Sequence, residues 1–364
     1  MTINQDHLGD GPFSSLSKDC LSFCVAKGEG QGFDKLSPNG LFLLPDVLAR
    51  FVADLGRLIT PGERLGVAVS GGPDSLALLV LAAAARPGFV EAITIDHALR
   101  PESEEEAALV TRTCASLGVP HDVRKVEWDG KPESALQEQA RAARYALIAD
   151  WLRARGLQAV CTAHHCDDQA ETLLMRLARG AGLRGLAAMR PSAPLPGSPD
   201  LRLLRPLLSW GRDELADICV AAGVTPVADP SNADEQFERV KVRRLLAGKE
   251  MEAAGLARSA DNLRSADEAI DWAVEREWEE AVTVGDPVIT YLAGTAPDEI
   301  RRRILARIIA ELASEGDGDL RGREIDQLIS TLRSGGRATL RGVLCGGGAT
   351  WRFEPAPRRI SGCA

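Results

Sequence analysis

Ser70-Gly71-Gly72-Pro73-Asp74-Ser75 stands between the apolar run Leu65-Gly66-Val67-Ala68-Val69 and a second apolar run that begins at Leu76. This order predicts a strand, a tight turn and a helix start. The two glycines let backbone N–H groups converge, and the open helix end adds its positive dipole. The loop is therefore suited to an anion, with phosphate the first candidate. A Walker-type loop places Lys after the second Gly to neutralise the outer phosphates, whereas Asp74 and Ser75 occupy the turn here. Neutralisation must come from a metal ion or from arginines elsewhere. For a bare two-glycine turn, a plain βα connection with a helix cap is the competing reading.

The surrounding chain has 364 residues, 45% hydrophobic and 26% charged, the composition of a soluble globular protein with two or three domains. A formal charge of −9 argues against a protein coated in positive charge for nucleic acid. Residues 301–364, however, hold 12 Arg against 7 acidic residues, a net +5, which leaves −14 on the first 300. That asymmetry suits an acidic catalytic part with a basic module that grips a polyanion, or else it is incidental surface bias. The eight Cys include no C-x-x-C pair, pointing to a reducing cytoplasm. No signal-peptide pattern opens the chain, and the longest apolar run, Leu76 to Ala85, is too short for a bilayer, so no membrane partner is expected.

Residues 1–40 read as a flexible extension. Pro45 opens a helix with Val47, Leu48, Phe51, Val52 and Leu55 at helical spacing. Phe89–Ile95 reads as a second strand ending in Asp96-His97-Ala98-Leu99-Arg100. Polar groups at the carboxyl end of such a strand border the ligand crevice of an open α/β sheet, though a plain loop is also compatible. A capped acidic helix over 104–117, a strand over 123–126 and a long helix over 134–155 follow. On the last, Ala140, Ala143, Leu147 and Trp151 mark an apolar side, while Arg141 and Arg144, three apart, are placed to clamp phosphate or to lie solvated on the surface.

A fourth strand, 157–162, leads to His164-His165-Cys166-Asp167-Asp168-Gln169-Ala170-Glu171-Thr172. A helix starting near His165 would put His164, Asp167, Asp168 and Glu171 on one side and bury Leu173, Leu174 and Leu177 on the other. The carboxylates gain from the N-terminal dipole, and clustered Asp beside a phosphate loop makes a hard oxygen site for Mg2+. A zinc site from Cys161, His164, His165 and Cys166, or a capping role for the acids, are the alternatives.

A glycine-rich basic loop, Arg179-Gly180-Ala181-Gly182-Leu183-Arg184-Gly185-Leu186, precedes a Pro-rich segment over 191–200 and a helix over 213–222. Arg239, Lys241, Arg243 and Arg244 crowd one short stretch, either an RNA-facing patch or an exposed helix face. From 251 to 282, Leu256, Leu263 and Ile270 recur every seven residues and Val274 and Trp278 extend the stripe, predicting a long linking helix packed on a neighbour. Helices over 298–314 and 321–333 and strands over 338–345 and 349–354, joined through Gly346-Gly347-Gly348, complete the chain.

Ser-Gly-Gly-x-Asp-Ser after a hydrophobic strand resembles the signature of the ATP-pyrophosphatase (PP-loop) superfamily. Within it, Ser70–Ser75, Asp96-His97-Ala98-Leu99-Arg100, Ala140-Arg141-Ala142-Ala143-Arg144-Tyr145, His164-His165-x-Asp-Asp-Gln-x-Glu-Thr, the 179–186 loop, Asp229-Pro230-Ser231-Asn232 and the Arg239-x-x-x-Arg243 spacing follow the order seen in tRNA(Ile)-lysidine synthases, over roughly residues 45–355. Val240 stands where that family often has Asn, and residues 1–40 have no counterpart in it.

The resemblance implies an α/β fold, a parallel sheet with helices on both faces of the adenine nucleotide α-hydrolase-like kind. A catalytic domain over 41–248 would be followed by a linking helix over 249–285 and a small α+β tRNA-contacting domain over 286–364. It implies adenylation by ATP of the wobble-cytidine C2 oxygen in the CAU anticodon of tRNA(Ile), then attack by free L-lysine. In that reaction Ser70, Gly71, Gly72, Pro73, Asp74 and Ser75, with Arg141 and Arg144, would hold ATP, and Asp74, Asp167 and Asp168 would hold Mg2+. Asp96, His97, Arg100, His164, Asp167, Asp168 and Glu171 would form the catalytic group, with Glu171 a candidate acceptor of the lysine proton. Arg179, Arg184, Arg239, Lys241, Arg243 and Arg244 would contact tRNA. A homodimer is compatible with this reading. A tRNA 2-thiolation enzyme of the same superfamily and a non-catalytic nucleotide-binding regulator are the alternatives.

Overall fold

The computed structural model describes residues 43–98, 103–128, 136–227, 242, 245–246, 251–313 and 322–357. The expectations for residues 1–40, for Arg100, for Asp229 to Asn232 and for Arg239, Lys241, Arg243 and Arg244 lie outside the described residues.

Helix α1 (Pro45–Gly56) starts at its proline and buries Phe51 and Leu55. Strands β1 (Leu65–Ala68), β2 (Val90–Asp96), β3 (His121–Lys125), β4 (Ala159–Cys161), β5 (Ser192–Leu195) and β6 (Ser198–Leu204) form one sheet in the order β3-β2-β1-β4-β6-β5. The pairs β1–β2, β1–β4, β2–β3 and β4–β6 are parallel, and β5 closes one edge antiparallel to β6. Strands covered on both faces read as continuous apolar runs, which is why 65–69 and 90–95 were legible as strands. The 192–204 pair departs from the expectation of a Pro-rich connection. Pro196-Gly197 turns the chain, Gly197 has φ +75°, and Pro194 sits on the edge strand, where a missing N–H costs no ladder bond.

Helix α2 (Pro73–Ala85) is apolar all round, with Leu76 to Ala83 buried without interruption. Such a helix must be covered on every side. The sheet covers one side, α1 a second, and α7 (Arg212–Ala221) a third. On the other face of the sheet, α4 (Leu136–Arg155) buries Tyr145, Ile148, Ala149, Trp151 and Leu152 over Leu201 and Leu203 of β6. The buried stripe is thus turned from the Ala140, Ala143, Leu147 side toward Tyr145 and Ile148. Gly66 of β1 makes room for Trp151: a Cβ there would stand 2.6 Å from the indole ring. The indole N–H donates to Asp122 Oδ2 at 2.8 Å. Helices α3 (Ser103–Ser116), α5 (Cys166–Ala178) and the short α6 (Leu183–Leu186) complete this half.

The expected linking helix is α8 (Ala253–Ala281). Its first half packs Leu256, Ala260 and Leu263 against Leu173 of α5 and Ala188, and its second half sends Ile270, Val274 and Trp278 into a separate core. That core is made with α9 (Asp298–Leu312), α10 (Gly322–Arg333) and an antiparallel sheet, β7 (Val282–Val284), β8 (Ile289–Tyr291), β9 (Arg337–Leu340), β10 (Val343–Gly346) and β11 (Trp351–Pro355), in the order β7-β8-β11-β10-β9. The single strand expected over 338–345 is two strands of a hairpin. Arg341 and Gly342, with φ +49° and +70°, form its two-residue turn, a geometry with positive φ at both central positions.

Candidate active site

The sheet reverses its direction of growth at β1. The chain proceeds from β1 to β2 on one side, then returns to place β4 on the other. The crevice outside the carboxyl ends of β1 and β4 is where an open α/β sheet takes its ligand. Both strongest motifs open there, Ser70–Ser75 after β1 and His164–Thr172 after β4.

Gly71 has φ +87°, a conformation that side-chain-bearing residues adopt only with strain, and its carbonyl accepts from Val227 N–H at 3.1 Å. Gly72 is the N-cap of α2, and no side chain caps that helix. Its open first turn faces the crevice as a partial positive charge. Ser75 acts within the loop: its hydroxyl accepts from Ser70 N–H at 3.1 Å and donates to Gly72 O at 2.9 Å. The hydroxyl that was expected to hold phosphate therefore shapes the turn.

The N-cap of α5 is His165, and its ring is the centre of the acidic cluster. Asp168 Oδ2 accepts from His165 N–H at 3.1 Å, the reciprocal bond of a capping box. Ring Nδ1 lies 3.3 Å from both the N–H and Oδ2 of Asp167, while Nε2 faces Asp74 Oδ2 at 3.4 Å and Asp168 Oδ2 at 3.6 Å. The N–H contact suits a neutral ring that accepts at Nδ1, and the carboxylates suit an imidazolium. Charge decides between them. Burial by itself lowers the His165 pKa, but bonds to Asp167 and Asp74 and the charges of Asp168 and Asp74 push it up to about 9. The Asp167 carboxyl is held below the usual range, chiefly by its bond to His165. A histidine with a raised folded pKa stabilises the fold fully below its unfolded pKa and loses that contribution as pH rises through the folded value. In metal-free protein the ring is expected to contribute roughly 3 kcal/mol at about pH 6 that disappears by about pH 10. Denaturant titrations in EDTA at both pH values, on wild type and His165→Gln, check this; an equal pH dependence in the two proteins would refute it.

The carboxylates fit a magnesium ion. Asp74 Oδ1 is buried without a hydrogen-bond partner, and Asp74 and Asp168 converge on one side of the His165 ring. No cage of three or more protein ligands forms among the described residues. Mg2+ typically takes one or two carboxylates and completes its shell with waters and nucleotide phosphates, so two are sufficient. The zinc alternative finds no support in the geometry: no group of three or more His, Cys, Asp or Glu is arranged to hold a metal ion among the described residues.

The remaining expected residues divide into groups. His164 bonds Thr162 Oγ1 at 2.9 Å. Glu171 is 1% exposed, with Oε1 4.0 Å from Arg212 Nη2. Leu173 is buried as expected, Leu174 partly so, and Leu177 is 57% exposed, since α8 covers only the first turns of this face. At the end of β2, Asp96 Oδ1 accepts from Ala98 N–H at 2.7 Å, and Arg144 reaches His97 Nε2 from α4 with Nε and Nη2 both at 3.4 Å. Burial, then the Arg144 charge, lowers the His97 pKa, so this ring accepts. Arg141 stacks over Tyr145 at 5.0 Å, and Arg179 and Arg184 are exposed.

His165, at the centre of the cluster, was named from the sequence as a ligand only for the zinc alternative and not for the catalytic group. Its signal was the spacing of an N-cap residue three before Asp168, which identifies the first helical turn. Gln169 is a second buried polar residue that the sequence did not single out. Its amide pairs with both backbone groups of Met189, donating to the carbonyl at 3.0 Å and accepting from the N–H at 2.8 Å, and so ties α5 to the loop beyond α6.

Comparison with known proteins agrees with this geometry. A family model described as the PP-loop domain matches residues 47–250. The tRNA(Ile)-lysidine synthase of Novosphingobium aromaticivorans is 46% identical over 270 residues, covering 74% of this chain and 82% of the relative. That of Zymomonas mobilis is 42% identical over 323 residues, covering 87% and 96%. Among solved structures, the U34-tRNA thiolase NcsA from Methanococcus maripaludis with its [4Fe-4S] cluster superposes with a TM-score of 0.51 at 15% identity, over 60% of this chain and 76% of that one, a likeness of fold alone. With the phosphate loop and the His-Asp-Asp cluster facing one crevice and close sequence relatives along most of its length, the chain belongs to the tRNA(Ile)-lysidine synthase family of PP-loop ATP pyrophosphatases.

Proposed function

We infer that this protein is a carbon–nitrogen ligase that uses ATP to join free L-lysine to C2 of the wobble cytidine in tRNA(Ile) bearing CAU, releasing AMP and diphosphate. The observation that carries the reading is the meeting of the Ser70–Ser75 loop and the His165-centred carboxylates in the β1/β4 crevice. The C2 oxygen attacks the α-phosphate of ATP and diphosphate leaves. The lysine ε-amine then attacks C2, its proton passes to a carboxylate, and AMP leaves. The loop amides and the open end of α2 hold the diphosphate as its charge grows. Asp74 and Asp168 would hold Mg2+, which offsets that charge when bound. Asp167 and Asp168 present the negative charge that attracts the ε-ammonium. The amine must be neutral to attack, and a carboxylate in contact with it serves as base. Glu171 is buried, whereas Asp167 and Asp168 are part-exposed, so these two are the more accessible acceptors.

Asp96 and His97 at the end of β2 are assigned to the nucleotide or cytidine end, as the sequence assigns Arg100, and Arg141 and Arg144 to phosphate. Arg179 and Arg184, both exposed, are assigned to tRNA contact, and the sequence assigns the basic 239–244 stretch and the +5 of residues 301–364 to the same role. Five described cysteines are free and buried, which suits a cytoplasmic enzyme and leaves no exposed pair for sulfur transfer among the described residues. No helix among them is long and apolar enough to cross a membrane.

The test is incubation of the full chain with ATP, magnesium, radiolabelled lysine and unmodified tRNA(Ile) bearing CAU. Label is expected in RNA, dependent on both ATP and the CAU anticodon. Folded protein that transfers none would sink the reading.

A further inference from the structure

Arg205 leaves the carboxyl end of β6 only 8% exposed. Its Nη1 donates to Arg190 O at 2.7 Å, and its backbone N–H to Pro191 O at 2.8 Å. Its Nε is buried with no acceptor, and among the described residues no carboxylate pairs with it. Arg176, on α5, is in the same position: Nη1 donates to Gly185 O at 2.7 Å and Ala188 O at 3.0 Å, again with no carboxylate partner among the described residues. Both arginines therefore grip the one segment 185–190.

Helix α4 closes the group, because buried Tyr145 shares its core with Leu201 and Leu203 of β6 and carries Arg141 stacked on its ring. Burial first, and then the charges of Arg141 and Arg176, lower the Arg205 pKa. Other buried arginines of this chain are neutralised. Arg301, whose Nε also lacks an acceptor, pairs with Asp298 at 3.1 Å, and Arg303 pairs with Asp267 at 2.7 Å.

A guanidinium withdrawn from water is tolerable when counter-charge and hydrogen bonds replace its hydration. Around Arg205 the carbonyl dipoles are present and the counter-charge is not. A phosphate supplies both the charge and an oxygen for the idle Nε–H, in the planar geometry that guanidinium groups recognise.

We propose that Arg205, with Arg176 and Arg141, forms a phosphate-binding subsite beside β6, and that its Nε–H is the donor held for a phosphate oxygen. The inference rests on the ATP and tRNA reading above and extends it to Arg205 and Arg176. Phosphate of this chemistry comes from the nucleotide tail or from the RNA backbone.

The experiment measures equilibrium binding of ATP without RNA, and of tRNA(Ile) without ATP, to the full-length wild type, Arg205→Met and Arg205→Lys. Arg57→Gln, an exposed surface change, serves as the control for net charge. Arg205→Met is expected to weaken one ligand at least tenfold while its ligand-free melting temperature stays level or rises, because a buried charge lacking a carboxylate has been removed. A side chain that only pinned the Arg190 carbonyl would give the reverse, a lower melting temperature and unchanged affinities. Loss on the ATP arm assigns the nucleotide tail. Loss on the tRNA arm, with the salt slope reduced by about one, assigns a phosphodiester. If Arg205→Met does not fold, Arg205→Lys decides: it keeps the charge, lacks the Nε–H, and is expected to bind three- to tenfold more weakly. Affinities within twofold of wild type on both arms would overturn the proposal. Neither arm reads lysidine formation, so a wild type that binds both ligands and makes no product would refute the reaction and leave this subsite standing.

Discussion

Asp168→Asn is expected to lower single-turnover lysidine formation by about 10²-fold or more while leaving the fold in place. Asn keeps the shape of Asp and an oxygen that can accept from His165 N–H, so the cap of α5 survives. What disappears is the negative charge opposite His165 Nε2, on the side where Asp74 Oδ1 waits without a partner. The variant therefore loses one of the two carboxylates that would hold the metal and one of the charges that attract the lysine amine. It also loses part of what raises the His165 pKa, so that pKa falls toward the ordinary value. The checks are product formed per turnover, circular dichroism, and the pH dependence of stability without metal. Near-normal turnover would remove Asp168 from the reacting group.

The second large effect concerns the joint between the two halves. Asp267 of α8 is fully buried. Its Oδ2 pairs with Arg190 of the catalytic half at 2.7 Å and its Oδ1 with Arg303 of α9 at 2.7 Å. Asp271, one turn on, supports both arginines at 3.4 and 2.6 Å. Removing one member of a buried ion network strands the others, so Asp267→Ala is expected to cost about 3 kcal/mol, the lower end of the usual range because Asp271 remains. Replacing Asp267 and Arg303 together with Leu and Met is expected to recover most of that loss, since no desolvated charge is left in the core. Denaturant unfolding followed by probes in each half checks both. A single-variant loss below about 1 kcal/mol would show that the network adds little. In the Asp267 variant the two halves are also expected to unfold with separated midpoints, because α8 supplies side chains to both cores.

The elements read correctly from sequence share one property: their signals are local. An apolar run next to two glycines, Pro45 at a helix start and a seven-residue stripe over 256–270 each express a backbone preference within one stretch. The misses share the opposite property. Strand β6 was hidden by Pro199 and the flanking Pro196-Gly197, and only its partner β4 makes it part of the central sheet. The 338–345 stretch is apolar enough for one strand, yet Arg341-Gly342 turns it because β9 and β10 pair with each other. Leu177 has helical spacing but nothing above it, since the reach of α8 ends earlier.

For the site, residue types and order in the sequence determined that a glycine turn meets an open helix end at 70–75 and that carboxylates gather at 164–171. Those facts follow from covalent spacing on a strand end and a first helical turn. Tertiary structure alone decided that His165 sits between Asp74 and the carboxylates of its own helix, because Asp74 arrives from another helix 91 residues away. It also decided that Ser75 bonds within its own loop and that Arg205 is buried without a counter-charge among the described residues. Charge, burial and unmet hydrogen bonds are sums over everything packed around a group, and no window along the chain contains those neighbours.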